Sequence, residues 1–253
     1  MTVQTPSSAN VVTPDSFAEQ GFALVHGLFS PIEAHDWRNE ADRLLKLEII
    51  NEDNLRSPFK HIHAPYPQTI DPVLDISPSF RSLLKDDRVQ HILTSLLGDE
   101  GAPFRDELHF HLPGTHNEPW RQDFAQGWDE LPDANAITLL FQIEPADGNY
   151  GRIEIYQNSH AHLLTPRDAE RPLNDTELKT LDSSNLQQLQ TEAGDLVILH
   201  CQTPHRNGNN LTTYPRRSLN LTFNALRNGQ FREDYYARNI GKREQNYPGK
   251  EFL

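Results

Sequence analysis

Two histidines one residue apart are the first candidates for chemistry in this chain. Leu108-His109-Phe110-His111-Leu112 alternates apolar and polar, so in a strand His109 and His111 face the same way. Two imidazoles so placed can ligate one metal ion; they can equally lie on a surface or stand behind a ligand. A second constellation is Trp120-Arg121-Gln122-Asp123, which sets a guanidinium two positions before a carboxylate. The third lies between Gly194 and Asn224, where His205 precedes Arg216 by eleven residues. Arg216, Ser218, Asn220, Thr222 and Asn224 share one face of an alternating run whose other face is Leu219, Leu221 and Phe223. A neutral imidazole suits Fe(II), and a guanidinium fork meets a carboxylate bidentately where a Lys cannot. Alternation alone favours a polar face turned to solvent, although in a small β-barrel the same face lines a ligand cavity.

The stretch from Gly194 to Asn224 resembles the end of the catalytic core in the phytanoyl-CoA dioxygenase family, most closely its ectoine hydroxylase branch. The resemblance implies an iron(II)- and 2-oxoglutarate-dependent oxygenase. It makes His205 an iron ligand, Arg216 the clamp on the distal carboxylate of 2-oxoglutarate, Asn207 a small polar contact to that cosubstrate, and Ser218 a further matching position. Trp120 to Asp123 stands where the family carries Trp-His-X-Asp, whose His and Asp complete a two-His, one-carboxylate triad. Asp123 matches the carboxylate, and Arg121 stands in place of the His. His111 occupies a position where members often carry a Lys that helps hold 2-oxoglutarate. The Pro-Gly-Ser-His motif reads Gln157-Asn158-Ser159-His160, in which Asn158 still accepts a left-handed turn.

Arg121 divides the functional reading. An arginine has no free lone pair and stays protonated, so it cannot ligate a cation. It can pair with Asp123 and fill the place of the metal charge. One reading is a 2-oxoglutarate-dependent oxygenase that hydroxylates or desaturates a small molecule. It would hold iron with Asp123, His205 and water, or with a histidine recruited from His109, His111 or His116. The other is a metal-free relative whose cavity, lined by Arg121, Asp123, His205 and Arg216, binds an anionic small molecule or performs non-redox acid–base chemistry.

The elements expected to position these residues are mostly short strands. Phe17 to Phe29 reads as a helix end followed by a strand within Gly21 to Gly27. Ser30-Pro31-Ile32-Glu33 has capping-box spacing with proline at the first helical position. The helix after it places Ile32, Trp37, Ala41, Leu44 and Leu45 near one face. Asn51 to Ser77, holding four prolines with His61 and His63, is a long loop that is either a lid or surface coil. Phe80 to Leu97 reads as helix ending at Gly98. Ile137 to Ile143 and Arg152 to Tyr156 read as strands joined by the turn Asp147 to Gly151. His160 to Ser184 is a polar segment, a second candidate lid. Leu186 to Thr191 leads into a strand at Leu196 to Leu199. The fold expected from the family resemblance and these strands is a mainly β double-stranded β-helix, a jelly-roll or cupin-like barrel with flanking helices. As one domain, 1–253 would comprise a tail at 1–16, a strand and helices at 17–104, a core at 105–224 and a cover or dimer contact at 225–253.

Composition narrows the partners. The 253 residues carry a formal charge of −13, which disfavours nucleic acid and anionic membranes and leaves a small-molecule substrate. No apolar run approaches membrane-spanning length. The first thirteen residues lack a basic region and an apolar stretch, so no signal peptide is expected. A single cysteine, Cys201, rules out an internal disulfide and fits a reducing cytoplasm. A homodimer is compatible with the charged and aromatic C-terminal stretch.

Overall fold

The structure, a computed structural model, describes residues 12–46 and 69–246. The loop expected over Asn51 to Ser77 falls mostly outside them, with His61 and His63. Nine strands occur among the described residues: β1 Phe22–Val25, β2 Thr69–Ile70, β3 Gly101–His111, β4 Ala136–Gln142, β5 Ile153–Tyr156, β6 Leu186–Leu189, β7 Leu196–His200, β8 His205–Asn207 and β9 Arg216–Ala225. A six-stranded sheet runs β1-β7-β4-β9-β3-β2 and a three-stranded sheet β6-β5-β8, with every pairing antiparallel. Sequence neighbours such as β4 and β5 fall in different sheets, as a jelly roll requires. This is the double-stranded β-helix expected from the sequence.

Six helices accompany the sheets among the described residues: α1 Pro14–Gln20, α2 Pro31–Leu44, α3 Pro78–Ser82, α4 Asp87–Leu97, α5 Asp175–Leu178 and α6 Arg232–Asn246. Their ends follow local chemistry. Thr13 caps α1, which takes up the last residues of the stretch expected to be a tail. Ser30 and Glu33 form the reciprocal box at α2, with Ser30 N donating to Glu33 Oε2 at 2.7 Å and Glu33 N to Ser30 Oγ at 3.2 Å. The helix expected from Phe80 to Leu97 is broken in two, because the Asp86 side chain caps a new start. It ends as expected at Gly98 in the left-handed region, φ 65°.

The outer face of the large sheet carries Leu108, Phe110, Ile137, Leu139, Phe141, Leu196, Ile198, Leu219, Leu221 and Phe223. Onto it pack Ala34, Trp37, Ala41 and Leu44 of α2, Phe80 of α3, and Val89 and Leu93 of α4. Phe29, Trp37 and Phe141 meet at centroid distances of 4.9 to 5.7 Å, edge to face or tilted. Ile32 was expected on this face and is instead 74% exposed, since it lies in the first turn of α2, away from the buried stripe. A second apolar cluster joins Leu140, Val197 and Leu199 of the large sheet to Ile153, Ile155 and Leu189 of the small one. A third binds Tyr235 and Tyr236 of α6 to Phe104, Phe124 and Trp128.

Alternation alone leaves the polar face of β9 open between solvent and a cavity, and the family resemblance turns it inward. The polar face of β9 does not meet solvent: Arg216, Ser218, Thr222 and Asn224 are all buried. Helices occupy the apolar face, so the polar one turns toward the small sheet and lines the interior.

Candidate active site

The site begins with two strand-like segments held edge to edge. Arg121 and His205 form an antiparallel bridge, with Arg121 N donating to His205 O and His205 N to Arg121 O, each at 3.0 Å. Asp123 opens a tight helical turn, Asp123–Ala125, pinned by Phe124 N donating to Cys201 O at 2.9 Å. This places the Asp123 Oδ1 atom 3.5 Å from His205 Nε2, despite their separation in sequence. His205 Nδ1 sits 2.8 Å from Thr203 O. A carbonyl only accepts, so Nδ1 carries the proton and the Nε2 lone pair faces Asp123. Burial holds the His205 pKa below the usual range, partly opposed by the Asp123 carboxylate. Asp123 Oδ2 accepts from Thr138 Oγ1 at 3.3 Å, and Thr138 lies 3.1 Å from Thr222 across β4 and β9.

Arg121 lies beside this pair but is held by a different carboxylate. Its Nε is 3.7 Å from Asp123 Oδ1, while its Nη1 donates to Glu118 Oε2 at 2.6 Å. The pairing with Asp123 expected from the sequence is present as the longer contact of the two. Glu118 was not singled out in the sequence, where no local pattern marks it. Its backbone N donates to Asn207 O at 2.9 Å and its Oε2 also accepts from Asn207 Nδ2 at 3.1 Å. Burial works to raise its pKa, yet Arg121, His111 and His109 together hold the carboxyl well below the usual range.

At the start of β9 stands Arg216, 1% exposed. Its Nη1 donates to Gln142 Oε1 at 3.3 Å and its Nη2 to Asn207 Oδ1 at 3.0 Å. Both acceptors are neutral amides; its Nε has no partner, and no carboxylate pairs it among the described residues. Burial lowers its pKa. His111 lies directly opposite Arg216 in the β3–β9 register, and His109 opposite Ser218. His111 Nε2 meets Gly208 O at 2.7 Å, and its Nδ1 lies 3.5 Å from Glu118 Oε1. Burial pulls His109 down to about 4, so its imidazole is neutral. The ligand atoms of His109, His111 and Glu118 all lie within 4.8 Å of one another. Ser218 shares this face and is buried, whereas His116 is exposed and outside the cluster. Gly151, at φ 67°, makes the close approach possible: a Cβ there would lie 2.7 Å from His111 Cδ2 and 3.0 Å from Arg216 Nε.

Residues 17–218 match the family model for phytanoyl-CoA dioxygenase (PhyH). The chain belongs to the phytanoyl-CoA dioxygenase family. Among relatives, it is 24% identical over 249 residues to an ectoine dioxygenase of Streptomyces avermitilis, covering 90% of this chain and 82% of that one. It is 26% identical over 165 residues to a methylphosphonate hydroxylase of Gimesia maris, a match taking in 65% of this chain and only 61% of the relative. The crystal structure of EctD from S. alaskensis with 2-oxoglutarate and 5-hydroxyectoine has a TM-score of 0.74 at 19% identity, covering 89% of this chain and 80% of that one. The same protein with bound Fe gives the same score. The phytanoyl-CoA dioxygenase family is one of iron- and 2-oxoglutarate-dependent oxygenases, and this chain has its fold.

The donors present fit these two cofactors unequally. For 2-oxoglutarate the fit is good, because a buried guanidinium with an orphaned Nε and only amide partners awaits a carboxylate. For iron at the family's triad the fit is incomplete. His205 Nε2 and Asp123 offer two ligands, and Arg121 beside them has no lone pair to be the third.

Proposed function

We propose that this protein binds 2-oxoglutarate through Arg216 and oxidises a small molecule, by hydroxylation or desaturation, in the cavity between the two sheets. The observation that carries the reading is the Arg216 side chain, buried without a carboxylate partner. A buried guanidinium with no carboxylate in contact with it is costly by several kcal/mol, a cost that a carboxylate placed against it would offset. Asn207 orients the guanidinium through Oδ1 while its amide nitrogen holds Glu118, so one side chain ties the anion end of the cavity to the Arg121 end. His111 on the paired strand β3 and Ser218 on β9 itself stand beside Arg216 and would flank a carboxylate bound there. In such oxygenases Fe(II) supplies oxygen activation coupled to decarboxylation of the cosubstrate.

Relatives named for ectoine, methylphosphonate and 2-aminoethylphosphonate all take small polar molecules, and we infer a substrate of that size here. The single cysteine and the charge of −13 support a reducing, cytoplasmic setting and a partner that is neither nucleic acid nor membrane. No helix among the described residues is long and apolar enough to cross a membrane.

The Arg121 ion pairs favour a second reading, a relative without iron that binds an anion or performs acid–base chemistry. The test is succinate formation from 2-oxoglutarate with and without Fe(II), alongside calorimetric titration with 2-oxoglutarate. Iron-dependent succinate supports oxidation. Binding of 2-oxoglutarate without turnover for any small polar substrate supports the second reading, and no binding at all overturns the Arg216 assignment common to both.

A further inference from the structure

We propose that His109, His111 and Glu118 form a divalent-metal site, displaced from the His205 and Asp123 pair and suited to a first-row transition ion. The set is two imidazoles and one carboxylate, with the three ligand atoms within 4.8 Å of one another. Ligands on one such ion lie roughly 3 to 4 Å apart when metal–ligand bonds are about 2.0 to 2.2 Å, so modest inward movement closes the set.

The hydrogen bonds around the cluster orient its ligand atoms. The proton of His111 is committed at Nε2, which donates to Gly208 O at 2.7 Å. Its other ring nitrogen, Nδ1, is turned toward Glu118 Oε1 at 3.5 Å. A ring nitrogen and a carboxylate oxygen so placed share a cation between them, either a proton on Nδ1 or a metal ion. The outer nitrogen bound to a backbone carbonyl is also the arrangement that orients metal-ligating imidazoles. Glu118 divides its oxygens accordingly: Oε2 accepts from Arg121 and Asn207, and Oε1 is left for the ion. His109, next along the same face of β3, supplies the second imidazole. Arg121 then acts as a positioning residue for Glu118, which explains a guanidinium beside a metal-binding cavity.

The site goes beyond the oxidation reading and does not depend on it, since the metal can be titrated without 2-oxoglutarate or substrate. The experiment is anaerobic titration of the full chain with Co(II), followed by its visible absorption and by calorimetry. One equivalent with nitrogen- and oxygen-ligand bands is expected. His109→Gln, His111→Gln and Glu118→Gln should each weaken binding at least tenfold, whereas His205→Gln and Asp123→Asn should leave it within a few-fold. Circular dichroism establishes that each variant folds. Should one of the first group not fold, paramagnetically shifted imidazole signals in the unmodified chain decide: two exchangeable N–H protons that persist in His205→Gln support the site. Loss of binding in His205→Gln with retention in His109→Gln places the ion at the family triad and overturns the proposal. So does failure of the unmodified chain to bind Co(II) at millimolar concentration.

Discussion

Arg121 and His205 are hydrogen-bonded to each other through both backbone groups, at 3.0 Å each way. Directly opposed residues of an antiparallel pair send their side chains to the same face. Whatever stands at position 121 is thus delivered beside His205 and Asp123 by main-chain geometry alone.

Arg121→His should therefore place a second imidazole beside His205 and Asp123 without disturbing the bridge, completing two imidazoles and one carboxylate. Higher iron-dependent succinate production than the unmodified chain, by tenfold or more, is the expected result. Equal rates in a variant that folds would mean that position 121 does not limit metal use.

Arg216→Lys should weaken 2-oxoglutarate binding by one to two orders of magnitude, because an ammonium cannot present the bidentate fork. Calorimetry reads the change directly, and unchanged affinity would remove Arg216 from the binding site.

Gly151→Ala should both destabilise the fold and weaken 2-oxoglutarate binding. Its Cβ would meet His111 at 2.7 Å and Arg216 Nε at 3.0 Å, on backbone whose φ of 67° already disfavours alanine. A loss of about 1 to 3 kcal/mol in urea unfolding is expected. Wild-type stability together with wild-type affinity would show that the backbone withdraws at no cost.

Stability should fall as pH drops from about 6.5 to about 4. Burial pulls His200 down to about 4, and likewise His109. Each takes up its proton in the unfolded chain near 6.5 but in the folded chain only near 4. The unfolded state therefore binds more protons in that window and gains relative stability; above 6.5 the two contributions are constant. His200→Asn keeps an acceptor for Gln202 N, which now donates to His200 Nδ1 at 3.2 Å, and should flatten the slope. Urea denaturation at pH 7.5 and pH 5 gives the comparison, and parallel losses in both proteins would assign the slope elsewhere.

Much of the fold was legible in the sequence because local rules carried it. The Ser30 to Glu33 box, the Gly98 cap and the left-handed Asn158 at φ 55° each follow from one or two side chains. Asp123, His205 and Arg216 were singled out by the family resemblance, and the structure brings Asp123 and His205 to 3.5 Å of each other. What stayed hidden was long-range. Alternation in β9 marks two unlike faces but not which one the helices will cover; the family resemblance, not the pattern, turned Arg216 and Ser218 inward. Glu118 was passed over because its role depends on Arg121, Asn207 and His111 converging from three segments, and no spacing encodes that convergence. For the same reason the Arg121 ion pair was expected at Asp123, two residues away, where Glu118 makes the shorter contact.

The convergence of Arg121, Glu118, Asp123 and Arg216 has an electrical consequence. Two guanidiniums and two carboxylates cancel, and farther along the same face Arg105 and Glu107 neutralise each other through a 2.5 Å contact. The chamber is thus charge-neutral before anything enters it. A dianion alone would leave an excess of negative charge among these partly buried groups, and a divalent cation alone would leave the opposite excess. Entering together they preserve neutrality, so each should raise the affinity for the other.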